Sequence, residues 1–157
     1  MATYATLDDV LDRIPQVSLS DTSKPSRSTA QKFLDDVHGE LEGVLKNMGY
    51  QVPISRTDSP YGFSQVRSAE CLAVGSRILY ARANGVGGDG AVTSAERMLK
   101  QYEDMICAWN TRNNPKELTD VPRTGDQVQK PQHVLDGVAE SFGPSDTCPR
   151  ATMDQEW

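Results

Sequence analysis

Ser28-Thr-Ala-Gln-Lys-Phe-Leu-Asp-Asp-Val-His-Gly-Glu-Leu-Glu-Gly-Val-Leu-Lys-Asn-Met-Gly-Tyr-Gln-Val-Pro-Ile54 is the stretch that decides the fold class. Apolar residues recur at Ala30, Phe33, Leu34, Val37, Leu41, Val44, Leu45 and Met48. Steps of three and four put them on one face of a helix. Ser28 followed by Gln31 has the form of a capping box, so the helix is expected to begin there. Gly49 follows the last apolar residue, where a left-handed C-cap carries no Cβ penalty. Pro53 then prevents a return to helix.

Working outward, Thr6-Leu-Asp-Asp-Val-Leu-Asp-Arg-Ile14 reads as a short first helix. Thr6 can cap it, and Asp8 and Asp9 suit the positive end of its dipole. Residues 16–27 are rich in Ser, Asp, Thr and Pro and read as a polar loop, as does the stretch from Gln51 to Gly62. Phe63 to Asn84 reads as a third helix, apolar around much of its circumference and therefore central. Gly75 inside it costs about 1 kcal/mol against Ala, which predicts a neighbouring helix passing close by. Gly85-Val-Gly-Gly-Asp-Gly90 reads as a flexible connection, and Thr93-Ser-Ala-Glu96 as the capping box of a fourth helix running to about Arg112. Its stripe is Ala95, Met98, Leu99, Tyr102, Ile106 and Trp109.

The expected fold is therefore all-α: a bundle of about four helices over residues 1–114, followed by a long extended tail over 115–157. Phe33, Leu34, Leu41, Leu45, Leu72, Leu79, Met98, Tyr102 and Trp109 are expected in one core. The tail is acidic and carries scattered prolines and few apolar residues, too few to form a core of its own. It is expected to order only against a partner, with Val134, Leu135, Phe142 and Trp157 as the apolar anchors.

Composition narrows the function. The chain has 157 residues, 37% of them apolar, and a formal net charge of -6, which disfavours general attachment to nucleic acid or an anionic membrane. No run is long and apolar enough for a membrane span, and the N-terminus lacks the pattern of a signal peptide. Three widely spaced cysteines do not suggest a disulfide framework; Cys71 and Cys107 read as packed thiols in a reducing compartment. His38 has no second histidine at helical spacing and reads as structural rather than as a metal ligand or a base. The glycine-rich connection follows a helix and lacks the Lys-Ser/Thr of a phosphate loop. No catalytic set, cofactor site or metal site emerges, and a non-enzymatic protein is expected.

Tyr4-Ala-Thr-Leu-Asp-Asp-Val10, then Leu41-Glu-Gly-Val-Leu-Lys-Asn-Met-Gly-Tyr-Gln-Val-Pro53, then two further helices form an order that resembles the head–tail connector, or adaptor, proteins of long-tailed bacteriophages. The resemblance covers roughly residues 2 to 112. It implies a structural virion protein at the neck, made in the host cytoplasm. Such a protein forms a homo-oligomeric ring, commonly a dodecamer, beneath the portal protein. It extends the DNA channel and offers a platform to a stopper or tail-completion protein. On that reading Asp35, Asp36 and Glu40 are candidates to face the channel, where like charge keeps DNA from adhering. The other reading the sequence allows is a stand-alone helical regulator whose acidic tail binds a basic partner.

Overall fold

In the computed structural model, which describes residues 3–86, 89–110 and 118–124, the chain folds as four helices: α1 (Leu7–Leu11), α2 (Arg27–Asn47), α3 (Pro60–Val86) and α4 (Asp89–Asn110). The expectation of an all-α bundle holds. α3 is the common partner of the other three helices, and α1 also touches α2. Its residues from Ala69 to Ser76 are buried without a break, so it is enclosed on every side through its middle.

Several boundaries move for local reasons. α1 starts as expected: Thr6 Oγ1 accepts from the Asp9 amide and the Asp9 carboxylate accepts from the Thr6 amide, a complete capping box. α2 is capped by Ser26, not Ser28; the Ser26 hydroxyl accepts from the Thr29 amide at 3.2 Å. Gln31 instead donates to Asp35 one turn on. At the other end Gly49 has φ +86°, the left-handed exit foreseen there.

α3 begins three residues before the expected Phe63. Proline is well suited to the first helical position, where its missing amide is no loss. α4 begins at Asp89, so Thr93 to Glu96 lie inside the helix. Within it the Ser94 hydroxyl donates to the Gly90 carbonyl at 2.9 Å, showing how a hydroxyl that would suit a cap also fits the interior.

The apolar core is split into two clusters. The first contains Leu7, Val10 and Ile14, Leu34 and Val37 of α2, and Val74, Ile78 and Leu79 of α3. The second contains Leu41, Leu45, Tyr50, Ile54, Val66, Ala69 and Trp109, joined by Leu118 and Val121. Of the expected core set, Leu34, Leu41, Leu45, Leu72, Leu79 and Trp109 are buried. Phe33, Met98 and Tyr102 are half-buried against the core, and Tyr102 touches both clusters. A Cβ at Gly75 would collide with the end of the Met98 side chain of α4 and come within reach of Ile14, the close approach its place in the helix requires.

The described part of the expected tail packs on the bundle. Residues 118–124 lie on the helices as a strap, within one compact unit, Met1–Gln127. Leu118 and Val121 are buried, and the Thr124 and Gln51 amides donate to the Gly49 and Pro122 carbonyls at 2.6 and 2.9 Å. A polar, proline-containing stretch cannot make a core of its own, but two apolar side chains suffice to seal one already built. Val134, Leu135, Phe142 and Trp157 lie outside the described residues. Cys71 is a buried free thiol, as expected, and Cys107 is half-buried on α4.

Candidate functional site

The chemistry-bearing residues of this chain meet at the level between the two apolar clusters. His38 on α2 follows Leu34 and Val37 of one cluster and precedes Leu41 of the other; Glu70 on α3 separates Val66 and Ala69 from Val74 in the same way. Glu70 is fully buried and His38 is 4% exposed. Glu70 Oε1 lies 3.0 Å from His38 Nδ1, and Glu70 Oε2 accepts from the Ala5 amide at 2.5 Å. On the far side of the imidazole, Nε2 is 3.5 Å from Glu42 Oε1. Tyr4 closes the cluster: its hydroxyl donates to Glu42 Oε1 at 3.1 Å and accepts from the Ile54 amide at 3.1 Å. The Tyr4 ring lies 4.9 Å from the His38 ring and 5.7 Å, edge on, from Phe63.

Burial is the largest influence on Glu70 and pushes its carboxyl upward, against the Ala5 amide and His38, which both favour the ionised form. Burial also raises the Tyr4 phenol to about 12, with Glu42 adding to the rise. These groups are bonded on all sides: no buried side-chain nitrogen or oxygen among the described residues lacks a partner. The arrangement ties four separate pieces of chain (the N-terminal arm, α2, α3 and the Ile54 loop) to one point. With its buried polar groups all partnered, it works as a structural polar layer. Sequence reasoning passed over Glu70 and Tyr4. The signal for Glu70 was a single carboxylate in the apolar run from Val66 to Leu79.

A second polar junction holds the strap. The Asp120 carboxylate accepts from the Tyr61 amide at 2.8 Å and from the Gly62 amide at 2.8 and 3.1 Å, so it caps the N-terminus of α3 from 58 or more residues away in sequence. The Ser59 hydroxyl donates to the Asp120 carbonyl at 2.7 Å. Nearby, the Arg123 guanidinium sits 4.4 Å over the Tyr50 ring and donates to the Tyr50 hydroxyl and the Trp109 carbonyl. Tyr50 in turn donates to the same carbonyl at 3.1 Å.

The acidic candidates on α2 are brought together on its outer face. Asp35, Asp36 and Glu40 are all exposed. Glu40 is not a free carboxylate, since it pairs with Arg77 of α3 at 2.5 Å. Asp35 accepts from Gln31 at 3.2 Å. Gly39 and Gly43 share that face with nothing within 4 Å of a Cβ built on either.

Among the described residues no cluster of three or more His, Cys, Asp or Glu side chains is arranged to hold a metal ion, and no helix is long and apolar enough to cross a membrane. Comparison of this chain with protein-family models, with curated proteins and with solved structures gave no match.

Proposed function

We propose that this chain is a head–tail adaptor: a subunit of a homo-oligomeric ring, commonly of twelve copies, that sits beneath a portal protein, continues the DNA channel and presents a platform to a stopper or tail-completion protein. The observation that supports this reading best is the junction after α2. The stretch on which the resemblance to connector proteins rests, Leu41 to Pro53, is a built structural unit rather than a chance string of residues. Leu41 and Leu45 are buried, Gly49 makes the left-handed turn, and Tyr50 is inserted at 1% exposure between Trp109 and Arg123. Polar chemistry spent on holding chain segments together suits a scaffold.

In such a ring Asp35 and Asp36 are the better candidates for the channel wall, because the Glu40 carboxylate is already neutralised by Arg77. Replacing Asp35 and Asp36 by Lys should make DNA passage salt-sensitive, since Lys binds phosphate; unchanged passage across salt concentrations would remove them from the wall. The assembly itself is tested by native mass spectrometry of the purified chain, alone and mixed with candidate portal rings. The adaptor reading expects a ring stoichiometry on the portal. A small oligomer that ignores the portal and captures a basic partner would replace it with the regulator reading.

A further inference from the structure

Arg27, Arg67 and Arg77 each pair with a carboxylate, of Asp8, Asp9 and Glu40 in turn. Arg13, Arg56 and Arg97 are exposed to water, and Arg123 lies over the Tyr50 ring. Arg82, toward the C-terminal end of α3, fits neither pattern. It is half-buried, and among the described residues no carboxylate is bonded to it. Its Nη1 donates to the Gln16 carbonyl at 3.3 Å, long for such a bond. A guanidinium has five N–H donors, so most of its capacity is left over. Arg82 lines a cleft of about 350 Å³, the size at which small-molecule sites begin. The buried part of the lining is aliphatic: Val17, from the chain after α1, and Leu79, one turn before Arg82 on α3. The start of α4 completes it with Gly90, Ala91 and Ser94, small residues that leave room; a Cβ built on Gly90 would meet nothing within 4 Å. The Ser94 hydroxyl hydrogen is already given to the Gly90 carbonyl, which leaves the Arg82 side chain as the cation of the cleft.

We propose that this cleft binds a carboxylate that carries a short branched aliphatic body, with the carboxylate on the Arg82 guanidinium and the body over Val17 and Leu79. A guanidinium matches a carboxylate through two parallel hydrogen bonds, and the half-buried setting screens that pair less than open water would. The aliphatic lining decides what else the ligand contains. Val17 and Leu79 offer apolar surface that a methyl or methylene group covers with gain, and that a sugar or a second charge would desolvate at a cost. A phosphate or a nucleotide suits the cleft poorly: one guanidinium does not balance a dianion, and no aromatic side chain lines the cleft for a base to stack on. The same chemistry is available from two sources, a free branched-chain acid and the C-terminal residue of a peptide ending in Leu or Val. The inference does not depend on the adaptor reading, since the cleft lies on one subunit and needs no ring.

Titrating the full chain with isovalerate tests the site, read by the NMR signals of the Val17 and Leu79 methyls and the Ala91 amide, with ionic strength held constant by chloride. Saturable shifts at these residues are expected, in the millimolar range that suits so small a ligand. Isovaleramide has the same shape without the charge, and should bind more weakly by about tenfold or more, the scale of a lost charge-assisted bond. Acetate keeps the charge without the body, and should be weaker by about tenfold as well. Arg82→Gln keeps a donor for the Gln16 carbonyl, and should lose about tenfold in isovalerate affinity while binding isovaleramide within about twofold of the parent. An N-acetylated Gly-Gly-Leu peptide separates the sources: binding as tight as isovalerate assigns the site to a chain end, and binding by isovalerate alone assigns it to a free acid. Absence of saturable shifts, shifts centred elsewhere, an amide or acetate that binds as well as isovalerate, or an Arg82→Gln chain that binds isovalerate as the parent does, each overturns the proposal. Should that variant not fold, the comparison of isovalerate with isovaleramide in the parent decides.

Discussion

The two ends of this bundle are closed in different ways. The end containing Leu7, Val10, Leu34, Val74 and Ile78 is built mostly from aliphatic helix faces of α1, α2 and α3, with Ala5, Ile14 and Val17 from the chain around α1 added at its edge. The end containing Leu41, Leu45, Tyr50, Ile54 and Trp109 runs short of helix, and irregular chain finishes it: the arm at Tyr4, the exit after α2, and the strap at Leu118 and Val121. Irregular backbone cannot satisfy its own polar groups as a helix does, so each piece that enters the second end brings hydrogen bonds with it. Tyr50 to Trp109, Asp120 to the first amides of α3, and Arg123 to Tyr50 are those bonds. Where helix faces meet, the backbone is already paired and packing supplies most of the hold. The irregular half needs packing and polar partners together.

The largest effect expected from this difference is at Trp109. Trp109→Ala removes the biggest side chain of the second cluster and undercuts the Tyr50–Arg123 junction, and should cost about 3–5 kcal/mol in urea unfolding. Leu34→Ala in the helical half should cost about 2–5 kcal/mol and leave the strap amides protected. If Leu34→Ala exposes the strap as much as Trp109→Ala does, the two ends are one unit and the comparison fails.

Next comes the cap. Asp120→Ala leaves the Tyr61 and Gly62 amides without an acceptor and should cost about 0.5–2 kcal/mol, the range for losing a helix N-cap. Gly62→Ala sharpens the same point by sterics: a Cβ there would collide with the branched Val121 side chain and crowd the Asp120 carboxylate. Strap amides should lose protection in both variants while α2 keeps its own.

At the helical end, Arg67 and the Thr6 amide hold the Asp9 carboxyl down at about 2, from 3.8. That interaction stabilises the fold above the unfolded value and is lost as pH falls toward about 2. Asp9→Asn should therefore flatten the acid limb of stability without affecting the strap, which thermal scans at stepped pH would show. The smallest effect belongs to Glu40→Gln, which breaks a half-exposed ion pair with Arg77 and should change stability by less than about 1 kcal/mol.

The same division explains how much was legible in the sequence. The helical half follows from residue spacing, so Leu34, Leu41, Leu45, Leu72 and Leu79 could be placed in a core from the chain alone. Gly49 and Gly75 could also be read, because one position needs a left-handed turn and the other a close neighbour. Helix starts were less secure, since Ser26 and Ser28 are chemically equivalent and only the backbone decides which one caps. Thr93 to Glu96 fits the interior of a helix as well as its start. The polar layer showed only as an isolated carboxylate in an apolar run, and the sequence did not pair it with His38 or Ala5 because those contacts span 32 and 65 residues. The strap left no periodic signal at all. Leu118 and Val121 look like sparse apolar residues in a tail until the cleft they fill is known. The acidic face of α2 was legible as a surface, but the Arg77 partner of Glu40 was not.

The central claim is that the second end of the bundle is sealed by the docked strap, and amide exchange on the full chain tests it most directly. The amides of Gln51, Tyr61, Gly62 and Thr124 each bond across the strap, to Pro122, Asp120 or Gly49. They should exchange together, with one protection level well above that of free chain, and should lose it together in Asp120→Ala. Exchange of these four amides at free-chain rates while α3 stays protected would contradict the account, because the helices would then be holding the core without the strap.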